Sequence, residues 1–299
     1  MERYYKKYSK FLVFPAVFLF ICVVAIPFAI GLLYSFTSWR GTYFANGTLM
    51  ESFVGLDNYM KVFTNAQFGK SFLYTCCYTV LSVITINICA LLLALMVTSI
   101  TKGAGLFRTV LFMPNMLGGL ALGFIWQFIF QVVFTDILFG PGGVLHIEGL
   151  RFMTQSPVKA LFALLIMTTW QNAGYMMIIY VAGFTSIPGD LLEAASIDGA
   201  SEWQIVKSIK LPELRGSLAI TVIFSIIGSF QLFNEPSILQ NMVPGNAITT
   251  YYTPNMYAYN LSFSGNQSNY AAALAIVMAV ITMAIAYIVQ LNSLKEQMK

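Results

Sequence analysis

Apolar residues along the chain form long runs that are separated by shorter polar segments. Six runs approach or exceed the roughly 20 residues that a helix needs to cross about 30 Å of hydrocarbon. They cover residues 11–34, 72–97, 109–134, 160–184, 218–242 and 271–291. Because backbone groups in lipid must hydrogen-bond within their own segment, each run predicts a transmembrane helix.

The charges in the polar segments are distributed unevenly. Of the 16 Lys and Arg residues, eleven fall in segments on one side of the six predicted helices and five on the other. Cytoplasmic loops carry an excess of basic residues, so the sequence predicts that both termini are cytoplasmic. The segments 37–71, 135–159 and 243–270 are then external, and the charged 186–216 loop is cytoplasmic.

Composition supports a membrane protein. Hydrophobic residues make up 58% of the chain, charged residues only 9%, and the mean hydropathy is +0.74, so a water-soluble surface would be hard to build. A net charge of +4 is too small to indicate nucleic-acid binding. All four cysteines lie inside apolar runs, where they are expected to pack as small hydrophobic residues.

Motifs for catalysis or metal binding were not found in the sequence. The single histidine, His146, has no Cys, Asp or Glu cluster at ligand spacing, so no metal site is predicted. Residues 64–71 end in Gly-Lys-Ser but have Thr64 where a phosphate loop has its first glycine. The chain is therefore predicted not to be an enzyme and to bind no cofactor, and uphill transport would need a partner or an ion gradient.

The 186–216 loop carries signals for two short helices. Asp190 followed by Glu193 has the form of a helix N-cap with its reciprocal acid. Gly199 should end this first helix, and Ser201 followed by Gln204 has the form of a second capping box. We therefore expect two short helices joined by a glycine elbow.

The second helix of this loop allows two interpretations. Trp203, Val206 and Ile209 are expected to share one face. The helix could lie on the bilayer, with Trp203 among the headgroups and Lys207 and Lys210 near lipid phosphate. It could equally enter a groove on a cytoplasmic protein. The residues alone favour neither interpretation.

The same loop resembles a known family motif. It is similar to the EAA loop of permease subunits of bacterial ATP-binding cassette (ABC) importers. The matching positions are EAA at 193–195, the glycine of IDGA at 197–200, Ile209 and Leu-Pro at 211–212. Three further segments resemble the maltose-transporter-type, carbohydrate-uptake class of these permeases: residues 168–200, LFMPNMLGG at 111–119 and FGPGG at 139–143. The resemblance covers roughly residue 72 to the C terminus.

This resemblance implies an all-α integral membrane fold with six transmembrane helices and a cytoplasmic coupling loop at 186–216, between the fourth and fifth. The apolar runs and the charges predict a cytoplasmic tail at 1–10, a first helix and external loop at 11–71 and a cytoplasmic tail at 293–299. The resemblance implies a permease domain at 72–292. The function would be to form the path for a mono- or oligosaccharide across the bacterial cytoplasmic membrane.

The implied partners are a second homologous permease, two ATP-binding cassette ATPases that hold ATP and Mg, an extracytoplasmic binding protein and membrane lipid. In the coupling loop, the resemblance makes Glu193 a charged contact with the ATPase and Asp198 a supporting group. Ala194, Ala195 and Gly199 would be positions of close approach. A bulky side chain at Gly199 is expected to fill space that the elbow or the partner needs.

Polar residues inside the apolar runs indicate a cavity, since such residues are costly in lipid. The fourth run has four such residues, spaced to share one helix face: Thr168, Gln171, Asn172 and Tyr175. The fifth run has Gln231, Asn234 and Glu235. Pro236, which follows, is expected to break that helix. Helix–helix hydrogen bonding explains each single polar residue about as well as ligand contact. For Glu235 the cost of a charge in the membrane favours a functional role.

The predicted substrate-binding set combines these residues with positions that the resemblance supplies. It comprises Asn115, Gly119, Thr168, Gln171, Asn172, Tyr175, Gly228, Gln231, Leu232 and Glu235. Amides, hydroxyls and rings suit the hydroxyls and flat C–H faces of sugars. Two alternatives stay open at this point, namely an ion-gradient-driven transporter and a membrane assembly protein that transports nothing.

Overall fold

The computed structural model describes residues 13–100, 102–145, 147–240 and 246–297, with side chains described to residue 292. The predicted tail at 1–10, His146 and residues 241–245 lie outside these residues. The described residues form helices, without a strand; the only β pairing among them is two isolated bridges, Thr37 with Phe53 and Trp39 with Phe44. The prediction of an all-α fold is confirmed.

Six helical segments are long and apolar enough to cross a membrane, as predicted. They are α1 (Val13–Ser35), α3 (Ala66–Ser99), α5 (Gly119–Leu138), α6 (Pro157–Thr185), the segment Arg215–Gln240, and the first 25 residues of α12 (Ser268–Gln297). The segment Arg215–Gln240 is divided into α9 (Arg215–Phe230) and α10 (Asn234–Gln240). Shorter helices are α2 (Asp57–Thr64), α4 (Ala104–Met116), α7 (Gly189–Ile197), α8 (Glu202–Ile205) and α11 (Pro254–Phe263).

The prediction of one continuous helix over 109–134 is wrong. Helix α4 ends at Met116, Leu117 and Gly118 are extended, and α5 begins at Gly119. Pro114 lies in the last turn of α4, where its ring and its missing N–H weaken the helix, and Gly118 adds a flexible position. The crossing segment is therefore α5, while α4 packs along α6.

The fifth span is broken, but not where the sequence predicted. The break lies between Phe230 and Asn234, before Pro236. Pro236 instead occupies the first turn of α10, where the N–H it lacks would have no partner within the helix in any case. Proline at this position therefore starts a helix rather than ending one.

Side chains from the start of α11 bond the backbone at this break. The hydroxyl of Thr253 donates to the carbonyl of Leu232 over 3.1 Å. The amide of Asn255 donates to the carbonyl of Phe230 over 2.8 Å. The interrupted helix thus keeps hydrogen-bond partners for carbonyls that a continuous helix would have bonded itself.

The chain divides into two compact units. One comprises the residues up to Gly69 together with Tyr257–Ala279, and the other comprises Lys70–Met256 and the residues from Val280 onward. All of the residues predicted to bind substrate or to couple to an ATPase belong to the second unit.

Within the second unit, hydrogen bonds between buried polar side chains join α3, α6 and α9. Thr221, Ser225 and Ser229 lie one turn apart on α9 and are buried. The bonds across helices are Tyr180 to Asn87 (2.8 Å), Tyr180 with Thr221 (2.8 Å), Asn87 to Ser225 (3.3 Å) and Ser82 with Ser229 (2.6 Å). Small polar residues of this kind let membrane helices approach closely and bond to one another. Helices α3, α6 and α9 are therefore held as one framework around the cavity described next.

Candidate functional site

The polar face of α6 and the break between α9 and α10 border a cavity of about 230 Å³. Seven of the ten residues predicted to bind substrate line it: Thr168, Gln171, Asn172, Gly228, Gln231, Leu232 and Glu235. The three- and four-residue spacing on α6 therefore did place its polar side chains on one side of the helix. The structure brings this set together, and its role in binding stays a prediction.

Asn115 and Tyr175 lie next to this lining without being part of it. The Asn115 amide donates to the Asn172 Oδ1 atom over 3.3 Å, so Asn115 orients a lining residue. The ring of Tyr175 packs between Phe112 and Phe224, with centroid distances of 6.3 and 6.4 Å. Both predicted residues therefore support the cavity wall.

Gly119 lies at a helix–helix contact. A Cβ atom on Gly119 would lie 2.9 Å from the Cβ of Asn234, and one on Gly123 would lie 2.8 Å from the Cβ of Ile238. The two glycines form the Gly-x-x-x-Gly spacing that lets membrane helices pack closely. Gly119 and Gly123 thus allow α5 to approach α10, the helix that carries Glu235.

Tyr78 on α3 also lines the cavity, although it was not in the predicted set. This side chain is almost fully buried, and its hydroxyl donates to Thr168 Oγ1 over 2.8 Å. Other lining residues missing from the predicted set are Ile86, Met176, Phe224, Ser225, Ser229 and Asn234. A signal for Tyr78 existed, because polar residues recur every three or four positions along α3: Ser71, Thr75, Tyr78 and Ser82.

The chemistry of the cavity is that of amides, hydroxyls and one carboxyl. Asn172 is fixed from two sides, since its Nδ2 donates to the Thr168 carbonyl over 2.9 Å while its Oδ1 accepts from Asn115. Among the described lining residues, Glu235 is the sole charged side chain. The described part of the chain also contains no group of three or more His, Cys, Asp or Glu residues that could hold a metal ion. Such a lining can bond a neutral, hydroxyl-rich solute, and Glu235 disfavours an anion.

In the 186–216 loop, the second capping box and the elbow are confirmed. The Ser201 N–H donates to Gln204 Oε1 over 2.7 Å, and the Gln204 N–H donates to Ser201 Oγ over 3.4 Å. Gly199 has a φ of +79°, a left-handed conformation that favours glycine. No atom lies within 4 Å of a Cβ built there, so within this chain backbone conformation rather than space constrains Gly199.

One local prediction in this loop is wrong. Asp190 does not cap α7, because the helix begins at Gly189 and places Asp190 inside the first turn, without a capping bond. Trp203 is 69% exposed, Val206 and Ile209 are half-buried and Ile205 is 5% exposed, and the common face of Trp203, Val206 and Ile209 stays a prediction. The wider π-helical turns at Val206–Lys210 change which positions share a face.

The residues predicted to couple to an ATPase are accessible. Glu193, Ala194, Asp198 and Gly199 are exposed, and Ala195 is half-buried.

The ends of the loop, in contrast, are anchored. Ile187 and Leu214 are buried in the same apolar cluster as Val181 and Phe184 of α6. The loop therefore presents an accessible surface on a base that is packed into the helices.

The same fold occurs in a solved transporter. The chain superposes on the crystal structure of a bacterial ABC transporter that imports the acidic polysaccharide alginate, with a TM-score of 0.77 over 98% of this chain and 99% of that one. Sequence identity is 22%, so this match establishes the fold.

Other proteins are more similar to this chain in sequence than the alginate transporter is. The chain is 36% identical over 274 residues to the probable starch degradation products transport system permease protein AmyD of Thermoanaerobacterium thermosulfurigenes, covering 92% of this chain and 89% of that protein. It is 30% identical to the multiple sugar-binding transport system permease protein MsmF of Streptococcus mutans, covering 91% and 89%. Residues 101–295 match the family model described as binding-protein-dependent transport system inner membrane component. The chain belongs to this family of multi-pass inner-membrane transport components.

Proposed function

We propose that this chain is the permease subunit that forms the translocation path for a sugar in an ATP-driven ABC importer. The observation that carries the proposal is the cavity between α3, α6 and the broken fifth span, lined by amides and hydroxyls. The names of AmyD and MsmF, which refer to starch degradation products and to multiple sugars, support a saccharide as the solute.

In this proposal the cavity binds the sugar directly. Sugars present many hydroxyls, each both donor and acceptor, and amides can satisfy both functions. Asn172 is already oriented by two hydrogen bonds, so little side-chain freedom would be lost when a hydroxyl binds to it. Glu235 would accept hydrogen bonds from sugar hydroxyls, and Phe224 would face the C–H side of a ring.

We assign the energy source to partner proteins. The importer would contain this permease, a second homologous permease, two ATPases that hold ATP and Mg, and an extracytoplasmic binding protein. The 186–216 loop would dock in a groove of one ATPase, because it exposes two large apolar side chains, Ile197 to 79% and Trp203 to 69%, and also carries the exposed acid Glu193. Large apolar side chains exposed together commonly mark a protein contact.

The proposed mechanism is a change in the side to which the cavity opens. When ATP closes the two ATPases, they would displace the 186–216 loop. Since Ile187 and Leu214 pack among residues of α6, this displacement would pass into the helices that line the cavity. The cavity would then open toward the loaded binding protein, with both termini of the chain in the cytoplasm.

Reconstitution in proteoliposomes tests this function. With the ATPases, the second permease and a sugar-loaded binding protein, we expect ATP-dependent uptake that Asn172→Ala lowers about tenfold, the effect of one or two lost hydrogen bonds. Uptake by this chain alone, driven by an ion gradient, would show a secondary transporter. A chain that folds but neither recruits an ATPase nor supports uptake would show an assembly protein.

The coupling role of Glu193 has its own test. Glu193→Gln keeps the shape of the side chain and removes its charge, so ATPase stimulation by the loaded binding protein should fall about tenfold. Glu202→Gln is the matched control, because Glu202 is an exposed acid in the same loop. Equal effects of the two variants, or no effect of Glu193→Gln, would remove Glu193 from the contact and favour a loop that lies on lipid.

A further inference from the structure

A second polar cavity, of about 280 Å³, lies in the unit formed by the first 69 residues and Tyr257–Ala279. Its wall comes from the segment after α1, from α2 and the residue that follows it, and from the start of α12. None of its described lining residues lines the cavity at Asn172 and Glu235. It is therefore a separate site on the chain.

The charge of this second cavity is positive. Among its described lining residues, Arg40 and Lys61 are basic and none is acidic. Gln267 adds an amide and Thr64 a hydroxyl, whereas the amides of Asn58 and Asn65 are already bonded within the protein. Two cations beside an amide and a hydroxyl suit a ligand that carries one anionic group and further polar groups.

The wall is built from buried and fixed side chains. Asn58 is 1% exposed, and its amide donates to the carbonyls of Ser35 and Thr37, each over 2.8 Å. Asn269 is 8% exposed, and its amide donates to the Asn58 Oδ1 atom over 3.1 Å. The Asn269 Oδ1 atom is buried and accepts no hydrogen bond from the described residues. This oxygen has almost no accessible surface, so Asn58 and Asn269 form a fixed part of the wall and ligand contacts fall to the other lining residues.

We propose that this cavity is a second binding site, which takes one sugar residue bearing a carboxylate, that is, a uronic acid. Its carboxylate would pair with Arg40 and Lys61, and a hydroxyl would donate to the side-chain oxygen of Gln267. A lipid phosphodiester could satisfy the cations but has no hydrogen to donate. The volume lies near the lower end of the range for ligand pockets, about 300 Å³, which limits the occupant to about one ring.

The position of the site suggests its use. It lies where α1 ends and where α12 begins, and membrane spans alternate in direction, so these span ends face the side opposite to the 186–216 loop. Under the proposed orientation, which the binding test itself does not require, that side is external. The site would therefore hold an acidic sugar on the external side, apart from the cavity at Glu235, which disfavours an anion.

The test uses the full-length chain in nanodiscs of phosphatidylcholine, with D-galacturonate and D-galactose as probes in isothermal titration calorimetry. We expect galacturonate to bind at least about tenfold more tightly than galactose, because the charged bonds are missing with galactose. The Arg40→Gln, Lys61→Gln double variant should lose that difference. Lys70→Gln, which removes an exposed cation outside the lining, should keep it.

Lys61→Gln alone makes the test independent of folding, because Lys61 is exposed and should be replaceable without loss of structure. It should weaken galacturonate binding about tenfold. Equal affinities for the two sugars, or an affinity for galacturonate that Lys61→Gln leaves unchanged, would overturn the proposal. So would N-acetylglutamate binding as tightly as galacturonate, which would indicate a site for an acidic protein side chain. Anionic phospholipid retained by the wild type and lost from the double variant, with no galacturonate bound, would show a lipid site.

Discussion

Tyr180 is the side chain through which α3, α6 and α9 bond to one another. It lies on α6, its hydroxyl donates to Asn87 of α3, and the same hydroxyl contacts Thr221 of α9. Asn87 in turn donates to Ser225. One buried phenol thus satisfies polar groups on two neighbouring helices.

Tyr180→Phe should destabilise the chain by about 1 kcal/mol, since it removes one buried hydroxyl and leaves its partners unpaired. Thermal unfolding in detergent measures this change. Tyr287→Phe is the control, because Tyr287 is 61% exposed on α12. Equal stability of the Tyr180 variant and the wild type would mean that Asn87 and Thr221 find other partners.

For single residues, the sequence correctly predicted which side chains of one helix lie on the same face. Thr168 and Asn172 share a face of α6 by periodicity, and both line the cavity. Tyr78 was missed because its contact with Thr168 depends on which helices are neighbours, and periodicity within one helix does not contain that information. Gly119 entered the predicted set by resemblance, and its contact with Asn234 likewise depends on tertiary packing.

At the scale of elements, one glycine determines how closely α4 packs on α6. A Cβ on Gly174 would overlap the carbonyl of Leu111, so the α4 backbone lies directly on this glycine. The same α4 carries Asn115, whose amide holds Asn172. The α4–α6 contact therefore sets the position of a lining residue.

Gly174→Ala should force α4 away from α6 and cost about 1–3 kcal/mol, the usual range for overpacking. Gly105→Ala is the matched control, since Gly105 also lies in α4 and has open space around it. The unfolding midpoint of each variant provides the measurement. A Gly174→Ala protein as stable as the control would show that the two helices separate easily.

The ends of a helix were predicted well where an apolar run begins and ends with it. Breaks and π-helical turns, which depend on backbone conformation, were predicted poorly or not at all. The fourth span was expected at 160–184 and is observed at Pro157–Thr185. The break in the fifth span was expected at Pro236, although proline is tolerated in a first helical turn and the break lies before Asn234. A π-helical turn, as at Val206–Lys210, has no comparable signal in the sequence.

For the whole molecule, the number of spans determines the topology. Six crossings put the two ends of the chain on the same side, and they put the 186–216 loop on that side as well. The hydrophobic runs sufficed to predict this number. Which side is cytoplasmic depends on the distribution of basic residues, and it stays a prediction.

Cysteine labelling tests the orientation. In a chain whose four cysteines are replaced by alanine, Gly149→Cys should react with a membrane-impermeant maleimide on intact cells. Glu202→Cys should react only after permeabilisation. Both positions are exposed, so access to the reagent decides the result. The opposite pattern would invert the proposed topology.

The two bonds from Thr253 and Asn255 to the broken fifth span have a mechanical consequence. These residues stand at the start of α11, and their bonds end on the backbone at Leu232 and Phe230, on either side of Gln231. A displacement of the segment before α11 would therefore be transmitted to the backbone around Gln231 through only two side-chain hydrogen bonds. Binding of another protein to that segment would in this way change the wall of the cavity that Gln231 lines.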